Sequence, residues 1–327
     1  SDELYLRWVQ LGVVYPMMRT HAQESLTPEP YNRPSIIGKV RDAINLRYAY
    51  LPYTYTQAYR YSRYGSPMAR PANFADDDKS VLADCKDAYL WGPDVYVAPV
   101  ISSGTTRDIT FPEGDWLDMN DFSTIYEGHR TVRGYSAPMD VLPRFMRRGS
   151  FVPRYRQDTF TSTAEIDPRS VTVDYFPSWK PEPDTGMIFD DNRTSASTIA
   201  NGEYTLTTFE GWGDAGSDGS LTLRISREGN GWNGMDAATC QDILFCIHDY
   251  RLAGAPRLAR VSSDAPARAA AASTIRQLGS LEEVKAENSA DSYAIDGNNL
   301  YVRIPSLSPE AGYSFTVTDD GNVTGVD

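Results

Sequence analysis

The hydrophobic pattern of this 327-residue chain changes its period once, near Pro67, and that change limits what the chain can fold into. Ahead of it, apolar residues recur at three- and four-residue intervals. Leu4, Trp8 and Leu11 share one helical face, with Asp2 and Glu3 at the positive end of the helix dipole and Ser1 or Asp2 able to cap it. That helix has to stop between Gly12 and Pro16. Tyr15-Pro16-Met17-Met18-Arg19 then forms a short apolar run that predicts one buried strand, before a loop broken by Pro28, Pro30 and Pro34. A longer helical pattern runs from Ile37 to Tyr64 on Val40, Ile44, Tyr48, Leu51, Tyr55 and Tyr59; Pro52 is expected to kink it and Gly65 to end it. Helix, short strand, helix is one repeat of a β/α barrel. Residues 1–66 cannot close such a barrel alone, so its other strands are expected N-terminal to Ser1, and the chain reads as a fragment or processed piece.

Beyond Pro67 the runs are short and punctuated by turns, which predicts β-sandwich architecture. Val95–Val100, Arg107–Phe111, Trp116–Met119, Leu142–Met146 and Phe151–Pro153 are read as strands of one module. A polar stretch from Tyr155 to Arg169 reads as a linker. Val171–Phe176, Thr205–Phe209, Leu221–Ile225, Ile243–His248, Leu300–Ile304 and Tyr313–Val317 are read as strands of a second module, and the alanine-rich Ala265–Ala272 as a loop. The expected organisation is mainly β with an N-terminal α/β piece: residues 1–66 from a barrel, 67–156 a proximal sandwich and 157–327 a distal one.

Composition narrows the partners. A net charge of −13 repels a phosphate backbone, so nucleic acid is not expected, and no apolar run is long enough to span a bilayer. Three cysteines, Cys85, Cys240 and Cys246, fit neither a disulfide framework nor a metal-type spacing; Cys246, inside Ile243–Ile247, reads as a small buried hydrophobe. No cofactor and no metal are expected.

The order of several motifs resembles one family. Glu3-Leu4-Tyr5-Leu6-Arg7-Trp8-Val9-Gln10-Leu11-Gly12, then Pro16 and Arg19-Thr20-His21, resembles the pattern ELY-x-RW-x-QLG…P-x-x-R-x-H of glycoside hydrolase family 31, which includes α-glucosidases and α-xylosidases. The resemblance continues in Leu46-Arg47-Tyr48-x-x-Leu51-Pro52-Tyr53, Pro67-x-x-Arg70-Pro71, Gly92-Pro93-Asp94, Pro112–Trp116 and the run from Pro143 to Pro153. Ile188-Phe189-Asp190-Asp191-Asn192 with Gly202-Glu203-Tyr204 is similar to a turn of the family's distal sandwich, where Asn192 replaces a common glycine and can itself take a positive φ.

The resemblance implies the last repeat of a (β/α)8 barrel followed by two β-sandwich domains, in a retaining α-glycosidase acting on α-linked glucosides or related oligosaccharides. It implies catalytic aspartates upstream of Ser1; no residue here matches either one. His21 matches the family's sugar-binding histidine at the end of the last barrel strand. Arg19, two residues earlier, is expected beside it, either orienting a carboxylate or in a structural ion pair. The chain alone is therefore expected to be inactive, and its partners to be the N-terminal remainder of the barrel and an α-linked oligosaccharide. The competing expectation is a non-catalytic carbohydrate-binding or structural β-sandwich protein.

Other polar and aromatic groups read as structural. Asp76–Asp78 and Asp190–Asp191 are adjacent acids that diverge into water rather than face one another across a bond. Tyr175, Trp179, Trp212 and Trp232 are expected in packing rather than as stacking platforms, and Arg7 and Trp8 at packing and surface positions. Arg144, Arg147 and Arg148 are expected to bridge to acidic surface.

Overall fold

Helical periodicity at the N-terminus becomes three helices in the computed structural model, which describes residues 1–23, 27–80, 82–214, 219–232, 235, 241–252, 257–262, 273–307 and 313–318. α1 spans Asp2–Val13, α2 Ile37–Ala49 and α3 Leu51–Tyr64. Ser1 caps α1 by accepting from the Leu4 N–H at 3.3 Å. The expected kink at Pro52 is a break. Pro52 stands in the first turn of α3, where its missing N–H costs nothing, and Tyr50 leaves helical geometry at ψ 13°. Gly65, at φ 67°, closes α3 by donating to the Tyr61 carbonyl at 2.9 Å. No helix among the described residues is long and apolar enough to cross a membrane.

The strand expected over Tyr15–Met18 does not form. A barrel strand needs a neighbouring strand to take its N–H and C=O groups, and no described strand pairs with this segment. Tyr15 and Met17 are instead 45% and 74% exposed. The mainly-β class holds, with a short N-terminal helical piece.

Two compact units are present: residues 1–148 with 157–166, and residues 149–156 with 167–327. In the first, a six-stranded sheet runs, edge to edge, through Ala69–Pro71, Tyr89–Trp91, Val95–Val97, Arg144–Arg147, Asp115–Asp118 and Ile125–Glu127, and Thr106–Thr110 pairs with Thr131–Ser136 as a two-stranded ribbon. The core packs Leu90, Tyr96, Trp116 and Phe145 of the sheet with Ile109 and Tyr135 of the ribbon. Part of the expected linker is packed on α2: the Phe160 N–H donates to Asn45 Oδ1 at 3.2 Å, and its ring lies 5.6 Å from that of Tyr48.

The second unit is a sandwich of two six-stranded sheets. One runs through Arg276–Gln277, Ser292–Asp296, Asn299–Leu307, Gln241–Ile247, Ser170–Phe176 and Ser150–Tyr155, the other through Asp184–Asp191, Tyr204–Asp214, Ser220–Glu228, Tyr313–Thr318, Arg257–Ser262 and Ser273–Thr274. Aromatic rings join the two faces: Phe209 lies 5.8 Å from Phe151 and 5.6 Å from Phe245, and Phe315 lies 5.8 Å from Phe245. Cys246 is buried and free, as read, and burial pushes its thiol up to about 12. Cys240 and Ala265–Ala272 lie outside the described residues.

One buried charge network sits in this unit. Asp174 meets Arg154 Nε at 2.7 Å and His248 Nε2 at 3.1 Å. Burial alone would raise the Asp174 carboxyl; Arg154 and the His248 hydrogen bond outweigh it and hold the group at about 2. A depressed carboxyl adds stability that is full above its unfolded value, near 4, and is lost as pH falls through the folded one. Asp174→Asn should therefore cost the second unit about 2 kcal/mol near neutral pH, and the difference from wild type should shrink between about pH 4 and pH 2. Urea melts of both proteins across that range measure it; a constant difference would show that the carboxylate charge is irrelevant.

Candidate functional site

Helix α1 is held by two polar side chains on its inner face. Arg7 is buried and donates to the carbonyls of Ala137 at 2.6 Å, Gly104 and Val141 at 3.2 Å and Pro138 at 3.3 Å, and to Gln10 Oε1 at 3.2 Å. Gln10 donates to the Met139 carbonyl at 2.9 Å. These bonds leave the apolar stripe outward: Leu4 is 55% and Trp8 66% exposed. Helical spacing placed them on one face correctly; the packed face is the other one, where Leu6, Val9 and Val13 are buried beside Arg7 and Gln10.

Motifs distant in sequence then fix the path of the chain after α1. Arg47 donates to the carbonyls of Gly12 at 2.7 Å, Tyr15 at 2.8 Å, Pro16 at 3.1 Å and Val13 at 3.2 Å. Gly12 has no side chain because a Cβ there would come within 2.8 Å of Met18 Cγ. The Tyr89 hydroxyl donates to the Val14 carbonyl at 3.0 Å, and its ring meets that of Tyr15 edge-on at 5.8 Å. The Tyr53 hydroxyl reaches the Trp91 carbonyl at 2.8 Å and Asp94 Oδ2 at 3.0 Å, beneath Gly92 at φ 62°, where a Cβ would strike that hydroxyl. Burial and the neighbouring Asp94 push the Tyr53 phenol well up, so it stays a proton donor.

This scaffold places Arg19 and His21 on the wall of an open hollow of about 1110 Å³, shared with Trp8, Met17, Met18 and Tyr89. Both site residues are exposed, and Arg19 Nη2 lies 3.3 Å from His21 Nδ1. A guanidinium only donates, so this contact makes Nδ1 the acceptor and leaves the ring proton on Nε2 as a donor. Arg19 makes no ion pair with a carboxylate among the described residues. Among the described residues, the carboxylate on the wall is Asp87, which pairs with Arg107 at 3.0 Å. The hollow thus offers hydrogen bonds to hydroxyl groups, and its described residues include no pair of acids to break a glycosidic bond.

The remaining candidates are structural. Asp190 pairs with Arg193 at 2.8 Å, and Asp191 accepts from the Thr198 hydroxyl at 2.6 Å. The positive φ of that turn falls on Arg193, at 57°, and not on Asn192, whose Oδ1 instead accepts from the Thr194 and Ser195 N–H groups at 3.0 and 2.9 Å. Tyr175 is buried and stacked 3.9 Å from Phe151. Trp179 donates to the Asp249 carbonyl at 3.1 Å, and Arg224 lies over Trp212 at 5.2 Å. Of the three arginines, Arg148 pairs with Asp115 at 2.8 Å. Arg144 and Arg147 are directed instead to Met119 and Ala75 carbonyls at 3.2 and 3.1 Å. Three groups of metal-ligating type that the sequence did not bring together, Asp76, Glu113 and His129, meet elsewhere in the first unit.

Residues 1–57 match the model of the glycosyl hydrolases family 31 TIM-barrel domain, and residues 65–152 that of the glycosyl hydrolase family 31 C-terminal domain. The lysosomal alpha-glucosidase of Mus musculus is 31% identical over 232 residues, covering 64% of this chain and 24% of the mouse protein. Alpha-xylosidase 1 of Arabidopsis thaliana is 27% identical over 214 residues, 64% of this chain and 23% of the plant protein. The chain thus spans about a quarter of the length of these relatives. A solved structure of the GH31 dextranase of Flavobacterium johnsoniae, complexed with glucose, superposes with a TM-score of 0.79 at 22% identity, over 97% of this chain and 37% of that one; this likeness is one of fold. Over residues 1–152 the chain is that of glycoside hydrolase family 31, with the end of that family's barrel domain and the C-terminal domain that follows it.

Proposed function

We propose that this chain completes the catalytic barrel of a retaining α-glycosidase acting on α-linked glucosides or related oligosaccharides. Barrel segments outside the chain supply the aspartate nucleophile and the aspartate acid/base. The observation that carries the reading is the juxtaposition of an outward apolar face on α1 and Tyr15–Met17 with a hollow walled by Arg19 and His21. Exposed apolar residues in a contiguous patch mark a surface made to be covered. The remainder of the barrel is the covering partner that the family membership supplies.

In this reading residues 1–66 end the barrel, 67–156 form the proximal sandwich and 157–327 the distal one. His21 Nε2–H donates to a hydroxyl of the sugar whose bond is broken, and Arg19 fixes the ring that does so. The reaction passes through a covalent glycosyl-enzyme intermediate on the missing aspartate. A neutral sugar also suits a chain of net charge −13 better than a polyanion does.

The test compares the intact protein with the 327-residue chain on p-nitrophenyl α-glucoside and α-xyloside. The intact protein should release nitrophenol from at least one with retention of configuration, and the isolated chain from neither. Activity in the isolated chain would refute the placement of the acids. An intact protein that binds α-glucans but cleaves none would make the chain part of a binding module.

A further inference from the structure

We propose that Asp76, Glu113 and His129 form a binding site for a single divalent transition-metal ion of the zinc type, bracing three loops of the first unit. Each residue contributes one ligand atom, and the three atoms lie within 4.8 Å of one another. They come from different places in the sequence. Asp76 ends the 3-10 turn Ala72–Ala75, Glu113 stands before strand Asp115–Asp118, and His129 lies between strands Ile125–Glu127 and Thr131–Ser136.

The independent sign of a ligand is at Asp76. Its side chain is fully buried, and only half of its carboxylate is used: Oδ1 accepts from the Glu113 N–H at 2.6 Å and lies 3.0 Å from His129 Nε2. Oδ2 is buried with no hydrogen-bond partner. Buried carboxylate oxygens are rarely left so, and an ion is one of the few occupants that satisfies such an atom. Nearby cations do not serve it: Lys79 Nζ is directed to the Asp76 and Phe74 carbonyls, and Arg147 Nη2 to the Ala75 carbonyl at 3.1 Å.

The backbone is arranged to bring the ligands together. Glu113 Oε2 accepts from the Asp77 N–H at 3.1 Å, which sets its carboxylate over the loop of Asp76. Gly128 lets the two turns touch, since a Cβ there would lie 2.4 Å from the Pro112 carbonyl oxygen and 2.5 Å from that of Gly114. His129 holds φ 56°, a left-handed conformation uncommon without glycine, and its N–H is tied to the Phe111 carbonyl at 3.0 Å. One imidazole nitrogen with two carboxylates is a donor set for zinc, with water completing a tetrahedron; calcium and magnesium prefer six or more oxygens.

Competition of the 327-residue chain with a chromogenic chelator for Zn²⁺, under reducing conditions, tests this. One equivalent should bind at micromolar or tighter affinity. His129→Asn, which keeps a residue tolerant of positive φ, and Glu113→Gln should each weaken it about tenfold or more with unchanged circular dichroism. Should either variant fail to fold, the other alone decides. No stoichiometric uptake, or uptake that both variants retain, overturns the site; tighter binding of Ca²⁺ or Mg²⁺ than of Zn²⁺ overturns its chemistry.

Discussion

Arg7→Ala should destabilise the first unit by about 3–5 kcal/mol, the cost of breaking a buried, hydrogen-bonded charge and leaving its partners unpaired. One guanidinium serves four carbonyls, those of Gly104, Ala137, Pro138 and Val141, and the Gln10 side chain. Removing it orphans those acceptors, at a fraction of the full desolvation penalty each wherever water enters. Burial also disfavours the charge itself and pulls the guanidinium down from its usual range, so the bonds carry the site against a standing desolvation cost. Arg7→Lys should rescue little, because an ammonium has three donors on one point and cannot reproduce a planar fork reaching carbonyls on both sides. Thermal or urea unfolding followed by a first-unit probe, such as Trp116 or Trp91 fluorescence, measures both variants. A loss below about 1 kcal/mol for Arg7→Ala would mean that water replaces the guanidinium at those carbonyls. A matching loss for Trp8→Ala is not expected in this chain, since that ring is mostly in solvent.

Arg7 also shows where sequence reading stops. Its place in α1 was plain from periodicity, and a charged residue beside Trp8 reads as surface. Its burial depends on carbonyls some 130 positions away, which no local pattern reports. For Leu4 and Trp8 the apolar stripe was visible, but an exposed stripe and a packed one have the same spelling. The strand expected at Tyr15–Met18 failed because a strand is a property of a pair, and its run of apolar side chains says nothing about whether a neighbour is present. In the second unit the reverse held. Leu221, Leu223 and Ile225 alternate inward, and period-two patterning located that strand without any knowledge of its partners.

The candidate site was legible only as a motif. His21 and Arg19 stood out because R-x-H follows an apolar run at the right distance from α1. Their contact, and hence which imidazole nitrogen carries the proton, required coordinates. Arg47 lay inside the quoted run Leu46-Arg47-Tyr48 without a role; its four carbonyl acceptors give it one, as the clamp that carries the chain from α1 towards His21. Asp76, Glu113 and His129 had no shared signature, since ligands 37 and 16 residues apart on separate turns have no characteristic spacing.

In the intact protein, His21→Ala should lower kcat/KM about 100-fold, with most of the loss in kcat. Such a loss corresponds to about 3 kcal/mol, the scale on which hydrogen bonds to sugar hydroxyls strengthen as the anomeric carbon gains positive charge. The expectation follows from the Arg19 contact at 3.3 Å, which leaves Nε2–H free to donate. Arg19→Ala should give a smaller version of the same defect, because the ring survives but both of its nitrogens can then exchange the proton. The split between kcat and KM separates this from a structural role. His21 is exposed and bonded only to Arg19 among the described residues, so truncating it should leave the unfolding midpoint of the chain unchanged. A variant with normal kcat and raised KM would make His21 a ground-state contact outside the reacting sugar. A fully active variant would remove it from the site, and the hollow beside α1 would then be only a seam between barrel segments.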